Sequence, residues 1–390
     1  MIYLDNASTT QIDSRVLDAM MPYLTDLYGN AGTLYSIGRK SAEAIAKARQ
    51  QVADSIGAKP EQIIFTSGGT EANNMVFAGL REHLLQSGKT HIVTSQIEHD
   101  SVLKAVRNLT SESCTKRDFD SCFIAPRSTG AVSASDIKSA LRKETGIVSV
   151  IHTNNETGVE NPVSEIADVC KEAGVLFHTD AVQAAGCSKL DVNEIGCDFL
   201  SLSAHKIHAP KGVGALYIKD LSVMRSMICG GASQEFGLRG GTENVAGIVG
   251  FGTACELMQG WLAENVSGVS DMKWYLYAWI EARLNELGLK EILHINGVPA
   301  YHGKTLSLRF DGVDAETLLL LLDAKGVCVS AGSACRSHES EPSHVLTSMG
   351  IGADDARNSI RISLSRMNKE EVLKAAEIIA MCVVMLRQQS

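Results

Sequence analysis

Residues 201–217 read Ser-Leu-Ser-Ala-His-Lys-Ile-His-Ala-Pro-Lys-Gly-Val-Gly-Ala-Leu-Tyr, and this stretch decides the fold. The pattern predicts a strand that ends in small polar residues, a tight turn at Pro210-Lys211-Gly212, and a second apolar strand. Lys206 lies in the loop between the two strands. A lysine placed for covalent chemistry most commonly forms a Schiff base with an aldehyde cofactor, and the alternative is a surface lysine in a turn.

An acidic residue upstream favours the first interpretation. The apolar run from Val175 ends at Asp180, 26 residues before Lys206. Pyridoxal 5′-phosphate (PLP) withdraws electrons only while its ring nitrogen is protonated, and a carboxylate at the end of a strand supplies the opposite charge. We therefore interpret Asp180 as the partner of the ring nitrogen. Gln183, in the following turn, is a candidate donor to the phenolic oxygen of the cofactor.

Composition limits the class of protein. The chain has 390 residues, 45% of them hydrophobic, which is enough for one large domain and a smaller one. No run approaches the roughly 20 apolar residues that span a bilayer, and residues 1–6 show no basic segment before an apolar one, so we expect a cytoplasmic protein. The net charge of −9, without a basic block, argues against direct binding of nucleic acid.

The cysteines point to a reactive thiol at one position. The chain has ten cysteines and no Cys-x-x-Cys pair, which argues against both a zinc site and a disulfide framework. Cys335 differs from the others because it lies in a loop of small and polar residues, 331–343, beside Arg336 and His338. This setting favours a reactive thiolate over an incidental surface thiol.

Other candidate residues follow strand-like runs. Residues 63–66 precede Gly68-Gly69-Thr70 at the start of a helix, where free N–H groups and a hydroxyl can hold a phosphate. His99 follows the strand 91–95, where an imidazole can stack on a cofactor ring and move protons. Asn155 lies in a donor-rich turn after the run 147–152. Strands that alternate with helices and end in polar residues predict a mostly parallel sheet with its ligand at the carboxyl ends.

The flanking segments predict helices and a second domain. Residues 41–56 form an amphipathic pattern with Ser41 as the N-cap. The glycine-rich stretch 230–244, with Thr242 as an anion-binding type, precedes a long helical section from about Ala254 to Leu287 that would link two domains.

From about residue 291 a small α+β domain follows. Its half-buried strand 359–364 carries Arg361, which is suited to bidentate binding of a carboxylate, and the alternative is an ordinary exposed arginine. The closing helix, from Lys369 to about Arg387, would be capped at Asn368.

One set of residues, taken together, carries a family resemblance through order, spacing and local sequence. The set is Gly69-Thr70, His99, Asn155, Asp180, Gln183, Ser203-Ala204-His205-Lys206, Thr242, Ser333-Ala334-Cys335 and Arg361. It resembles the cysteine desulfurases of the iron–sulfur-cluster and nitrogen-fixation type, PLP enzymes of the class V aminotransferase superfamily with fold type I.

The resemblance implies an α/β fold with two domains. The large PLP-binding domain, 16–258, would contain a mostly parallel seven-stranded sheet. The small α+β domain would comprise residues 259–390 and an N-terminal segment, 1–15.

The resemblance also implies roles for the site residues. Lys206 would form the Schiff base and move the Cα proton, Asp180 and Gln183 would contact the ring, and His99 would stack over it. The phosphate would be held by Gly69, Thr70, Ser203, His205 and, from the neighbouring subunit of a homodimer, Thr242. Arg361, assisted by Asn155, would bind the carboxylate of L-cysteine, and Cys335 would take up its sulfur as a persulfide for an acceptor protein.

Two departures and several alternatives stay open. Ala331 stands where a serine is expected and Arg336 where a small polar residue is usual, which bears on loop behaviour and acceptor choice. A selenocysteine lyase, an aminotransferase-like enzyme and a non-catalytic sulfur scaffold are alternative functions. The pathway served could be iron–sulfur clusters, tRNA thiolation or sulfur modification of DNA.

Overall fold

A computed structural model describes residues 1–110, 118–231, 233–265, 268–332, 341–365, 367 and 369–389. Its strands are β1 (Ile2–Tyr3), β2 (Ile63–Thr66), β3 (His91–Ser95), β4 (Asp120–Ile124), β5 (Thr145–Ser149), β6 (Leu176–Asp180), β7 (Phe199–Ser203), β8 (Gly214–Ile218), β9 (Leu293–Ile295), β10 (Thr305–Phe310), β11 (Val327–Cys328) and β12 (Ser359–Ser363). Its helices are α1 (Ser14–Leu24), α2 (Ser36–Ser55), α3 (Gly69–Gln86), α4 (Asp100–Thr110), α5 (Ala134–Ala140), α6 (Val163–Ala173), α7 (Val192–Ile195), α8 (Val245–Asn265), α9 (Gly268–Glu286), α10 (Ala315–Ala324), α11 (His344–Ser348), α12 (Ala353–Arg357) and α13 (Lys369–Gln389).

The large sheet confirms the predicted α/β architecture. Seven of the described strands form it, in the order β2-β8-β7-β6-β5-β3-β4. The pairs β3–β4, β3–β5, β5–β6 and β6–β7 are parallel, whereas β8 is antiparallel to both of its neighbours. Residues 201–217 form the two predicted strands, β7 and β8, and the turn between them makes the pair antiparallel.

Both faces of this sheet are covered by helices. One apolar core joins α2, α6 and α8 to sheet residues such as Val148, Phe177 and Leu200. The other joins α3 and α4 to Ile92, Phe199 and the β2–β8 edge. Every residue of β3, β5, β7 and β8 is buried, as expected for strands covered on both faces. The polar strand ends are therefore the accessible edge of the sheet.

The remaining elements build a smaller unit. Strands β12, β10 and β9 form an antiparallel sheet, and β1 pairs in parallel with β11. Ile2 and Leu4 belong to this apolar core together with residues of α9, α10 and α13, whereas Val16 and Met20 pack in the large core. The N-terminal chain therefore crosses from one unit to the other, and the exact domain boundaries stay a prediction.

The helices differ from the sequence prediction at two places. Helix α2 starts at Ser36, so the prediction that Ser41 caps it is wrong. The buried Ser41 hydroxyl lies inside the helix, 3.3 Å from the carbonyl oxygens of Ile37 and Leu27, and a serine can satisfy its hydroxyl this way in mid-helix. The long helical section is divided into α8 and α9, and α8 starts at Val245.

The strand that carries Arg361 is more deeply buried than predicted. All five residues of β12 are buried, and Arg361 is only 2% exposed, because the strand is covered by the N-terminal segment as well as by the small core. The alternative of an ordinary exposed arginine is therefore wrong. The closing helix is confirmed, while its predicted cap, Asn368, lies outside the described residues.

Candidate active site

The polar strand ends converge on one cavity of about 760 Å³, a volume that includes its open mouth. It is lined from the large sheet by residues that follow β2, β3, β5, β6 and β7, and from the small unit by Arg361 of β12. The predicted site residues that line it are Gly69, Thr70, His99, Asn155, Asp180, Gln183, Ser203, His205, Lys206 and Arg361. Residues from 69 to 206 thus meet at one place, as expected for the carboxyl ends of a parallel sheet, and Arg361 joins them from the small unit.

Two predicted residues do not belong to the described lining. Thr242 is exposed on the surface of this chain and is not among the lining residues. Cys335, with Ser333, Ala334 and Arg336, lies outside the described residues.

The start of α3 is shaped for close approach by an anion. Gly68 has φ of 153°, and a Cβ on Gly69 would come within 2.8 Å of Val182 Cγ2, so neither position tolerates a side chain easily. The N–H groups of the first helical turn have no partners within the helix, and Thr70 and Ser203 add hydroxyl groups to the lining.

His205 completes this part of the cavity as a neutral side chain. Burial, together with the nearby ammonium groups of Lys206, Lys211 and Lys304, lowers the pKa of His205 to about 4. Its Nδ1 lies 3.1 Å from Thr9 Oγ1. The imidazole is therefore uncharged near neutral pH and available for hydrogen bonding.

Asp180 is held by two hydrogen bonds at the end of β6. Its Oδ1 accepts the N–H of Val182 at 3.0 Å, and its Oδ2 accepts Nδ2 of Asn73 at 2.7 Å. The carboxylate is 3% exposed. Its orientation toward the cavity is therefore set by the turn after β6 and by a side chain from α3.

Asn73 also connects Asp180 to His99. Its Nδ2 lies 2.9 Å from Ser101 Oγ, and Ser101 Oγ lies 2.7 Å from His99 Nδ1. The backbone N–H of Ser101 also donates to His99 Nδ1, at 3.1 Å. Nδ1 is therefore an acceptor, and a neutral imidazole carries its proton on Nε2. Asn73 and Ser101 were not among the residues predicted from the sequence, although a polar residue between the apolar Ala72 and Met75 of α3 was a usable signal.

The N-terminal segment forms one wall of the cavity. Lys206 Nζ donates to the carbonyl oxygens of Ala7 and Ser8, at 2.7 Å each, and Gln183 Nε2 donates to the Ala7 carbonyl at 2.8 Å. The backbone N–H of Thr10 donates to the carbonyl of His205 at 3.0 Å. Residues 7–10 therefore bring backbone acceptors next to the lysine, a contribution that side-chain patterns could not reveal.

Arg361 is fixed from three directions. Nη2 donates to Asp5 Oδ1 at 2.7 Å and to Ser8 Oγ at 2.6 Å, while Nη1 donates to the carbonyl of Asn155 at 2.9 Å. Its buried Nε has no hydrogen-bond partner in the part of the chain that the structure describes. A buried N–H without a partner costs about 1–3 kcal/mol, so the guanidinium retains a strong donor for an anionic ligand.

Comparison with known proteins agrees with this geometry. The family model described as aminotransferase class-V matches residues 2–375. The chain belongs to this family. A curated relative, the cysteine desulfurase IscS of Dictyoglomus turgidum, is 40% identical over 373 residues, which cover 95% of this chain and 91% of the relative. Within the class-V aminotransferases, the chain therefore belongs with the cysteine desulfurases.

Two solved structures have the same fold. A NifS-like protein superimposes with a TM-score of 0.88 and 33% identity, covering 99% of this chain and all of the other. SspA in complex with cysteine superimposes with a TM-score of 0.80 and 34% identity, covering 93% of this chain and 99% of the other.

The cavity of this class-V chain fits PLP. It offers an amine, a carboxylate, an amide and a glycine-lined helix start, which are the groups needed for the aldehyde, ring nitrogen, phenolic oxygen and phosphate of that cofactor. Gln183 Oε1 and Asn73 Oδ1 are buried without hydrogen-bond partners among residues with described positions. Such atoms indicate a polar ligand in the cavity.

Two further findings bear on other classes of function. None of the helices in the described ranges is both long enough and apolar enough to cross a membrane. Across the same ranges, no group of three or more His, Cys, Asp or Glu side chains is arranged to hold a metal ion.

Proposed function

We propose that the protein is a PLP-dependent cysteine desulfurase that converts L-cysteine to L-alanine and passes the sulfur, as a persulfide on Cys335, to an acceptor protein. The observation that carries the proposal is that Lys206, Asp180 and Arg361 line the same cavity. One amino-acid substrate can therefore reach all three groups: an amine for covalent chemistry, a counter-charge for a ring nitrogen and a binding group for a carboxylate.

The residues that would hold PLP follow from the lining. Lys206 would bind its aldehyde carbon, Asp180 its ring nitrogen and Gln183 its phenolic oxygen, with His99 against the ring. Gly69, Thr70, Ser203 and His205 would hold the phosphate. When bound, PLP supplies an electrophilic carbon for the substrate amine and withdraws electrons from Cα.

The protein side chains would then orient the substrate and move its proton. Arg361, held by Asp5, Ser8 and the Asn155 carbonyl, would bind the cysteine carboxylate and so direct the rest of the substrate. Lys206 Nζ would carry the Cα proton. His99, with its Nδ1 occupied by Ser101, would offer Nε2 for proton transfer.

Cys335 would complete the transfer of sulfur. Its thiolate attacks the substrate sulfur, a sulfur–sulfur bond forms, and the Cβ–S bond breaks with its electron pair on the carbon skeleton. Protonation of that skeleton yields alanine. The acceptor protein takes the outer sulfur from the persulfide, and a thiol reductant in its place releases sulfide.

We also propose a homodimer with shared active sites. Thr242 is exposed and does not line the cavity of its own chain, so the anion-binding role assigned to it would be exercised on a neighbouring subunit. Exposed apolar side chains are available for such contact: Leu17, Met21 and Leu24 of α1 are 41%, 44% and 59% exposed, and Leu34 is 88% exposed.

The test is the release of sulfide and alanine from L-cysteine with a thiol reductant. Wild type should form the two products in equal amounts. The Lys206→Ala and Cys335→Ala variants should lose sulfide release. If Cys335→Ala forms alanine and sulfide at the wild-type rate, sulfur leaves by another route and a lyase replaces the desulfurase proposal.

A further inference from the structure

Helix α11, which follows the Cys335 loop in sequence, is seated on the large unit beside the cavity. The seat consists of Ile97, Glu98, Ile151 and Glu156, and we call it the α11 seat. Val345 of α11 packs with Ile97 and Ile151 in a separate apolar cluster, in which all three residues are at most 1% exposed. A side chain this well buried fixes the first turn of α11 against the ends of β3 and β5.

Two hydrogen bonds orient the start of α11 on the seat. Ser343 Oγ donates to Glu156 Oε2 at 2.5 Å, and His344 Nε2 lies 3.1 Å from the carbonyl oxygen of Glu98, to which it donates. Ser343 is also the N-cap of α11, because its Oγ accepts the N–H of Leu346 at 3.2 Å. The Ser343 hydroxyl therefore joins the start of α11 to a buried carboxylate of the large unit.

The α11 seat is itself rigid. Asn154 connects its two loops, because its Nδ2 donates to the Ile97 carbonyl at 2.9 Å and its Oδ1 accepts the N–H of Glu156 at 2.9 Å. Glu98 Oε1 makes a second connection by accepting the Ile151 N–H at 2.8 Å. A contact on a rigid support holds its partner in a more precise position than a contact on a mobile loop does.

The seat and the cavity share the same two loops. Glu98 precedes His99 and Glu156 follows Asn155, so both acidic residues of the seat are adjacent in sequence to a residue that lines the cavity, and Ile151 of the seat lines the cavity itself. The described chain also returns to Glu156 before the Cys335 loop: a Cβ on Gly332 would lie 3.3 Å from Glu156 Oε2 and 3.8 Å from Ser343 Cβ. Residues 332 and 343, which precede and follow Cys335 in sequence, therefore meet at one carboxylate.

We propose that Glu156 is a positioning residue for sulfur abstraction, because it accepts a hydrogen bond from Ser343 and adjoins Gly332, one residue on each side of Cys335. The inference rests on the proposed desulfurase function. Only the transfer of sulfur to Cys335 depends on this anchor, since cysteine binding is assigned to Arg361, Lys206 and the cofactor. Loss of the anchor should therefore lower the turnover number kcat and leave the binding of cysteine unchanged.

The test compares Ser343→Ala with a matched control, Ser133→Ala. Ser133 is the half-buried N-cap of α5 and accepts the N–H of Asp136, so its loss removes a cap without touching the seat. For Ser343→Ala we expect kcat for sulfide release to fall about tenfold or more, since small misplacements of reacting groups are costly. KM for cysteine, and the change in cofactor absorbance on adding cysteine, should stay within about twofold of wild type.

Two additional variants and one measurement on the apoprotein separate positioning from general damage. Ser343→Thr keeps both the cap and the hydroxyl donor and should restore kcat to within about twofold. The double variant Ser343→Ala/Glu156→Ala should lose no more than Glu156→Ala alone, because the two residues act through one hydrogen bond. Hydrogen exchange in residues 343–349 of the apoprotein should accelerate in Ser343→Ala and not in Ser133→Ala.

The outcomes distinguish the inference from the function on which it rests. If Ser343→Ala retains the wild-type kcat, or raises KM alone, the positioning role of Glu156 is wrong while the desulfurase proposal stands. An equal loss in Ser133→Ala would assign the effect to lost helix capping and overturn the inference as well. If wild type releases no sulfide from cysteine, the proposed function fails and the inference fails with it.

Discussion

Relative to wild type, a Glu98→Gln variant should have a free energy of unfolding that increases as the pH rises. Glu98 is fully buried at the end of β3, and its Oε1 accepts hydrogen bonds from Ser95 Oγ and from the Ile151 N–H. Burial, helped by the charge of Asp180 and opposed by these two hydrogen bonds, raises its pKa from 4.5 to about 8. The carboxyl is therefore protonated in the folded protein at neutral pH and ionised in the unfolded chain.

The sign and size of the effect follow from this difference in protonation. Between pH 4.5 and about 8 the unfolded state binds fewer protons at Glu98 than the folded state, so the free energy of unfolding of wild type falls as the pH rises. The fall is at most about 1.4 kcal/mol per pH unit and reaches about 5 kcal/mol over the whole range. Glutamine has the same shape, can accept the same two hydrogen bonds and has no proton to lose.

The assay is urea unfolding of the apoprotein, followed by far-ultraviolet circular dichroism at pH 5.5, 6.5 and 7.5. The free energy of unfolding of Glu98→Gln minus that of wild type should increase by about 2.5 kcal/mol from the lowest to the highest pH. Glu43→Gln makes the same substitution at an exposed position on α2, where no burial is involved, and serves as the control. A difference that is the same at all three pH values would refute the burial argument.

Three other predictions concern the cavity and its support. Asp180→Asn should lower sulfide release roughly 100-fold, because a neutral amide supplies no counter-charge to a ring nitrogen, and the measurement is turnover normalised to bound PLP. Arg361→Lys should raise KM for cysteine about tenfold, since a lysine cannot reproduce the planar fork held by Asp5 and Ser8. Steady-state kinetics measure this change, and a wild-type KM would contradict the prediction. Glu235→Gln should lower the free energy of unfolding by about 3 kcal/mol, because it disrupts the bidentate ion pair with Arg49, whose side chain is only 12% exposed. Urea unfolding measures this loss, and a loss below about 1 kcal/mol would contradict it.

Much of the cavity was predictable because its residue types follow strand ends. Asp180, His99 and Lys206 each stand just after an apolar run, and parallel strands bring such positions to one edge. The hydrogen-bond partners of the cavity residues were harder to predict from the sequence. Asn73 meets Asp180 across 107 positions, and Asp5 meets Arg361 across 356, distances over which no local pattern carries information.

The errors have related physical causes. Ser41 has the residue type of a cap, but the apolar face of α2 extends toward the N-terminus, and packing against α8 places the serine inside the helix. The strand at Arg361 alternates as a half-buried strand does, yet the N-terminal segment covers its second face. In both cases tertiary packing changed an assignment that was reasonable from local propensity.

The sequence by itself determined the alternation of strands and helices, the turns between them and the reactive residue types at their ends, because periodicity, glycine turns and strand termination are local properties. Only the tertiary structure decided how deeply Glu98 is buried, which backbone carbonyls meet Lys206, and that residues 332 and 343 come together at Glu156. These features depend on strand order and on the packing of segments far apart in the chain. Burial and electrostatics arise from that assembly, and so do the pKa of Glu98 and the anchoring of α11.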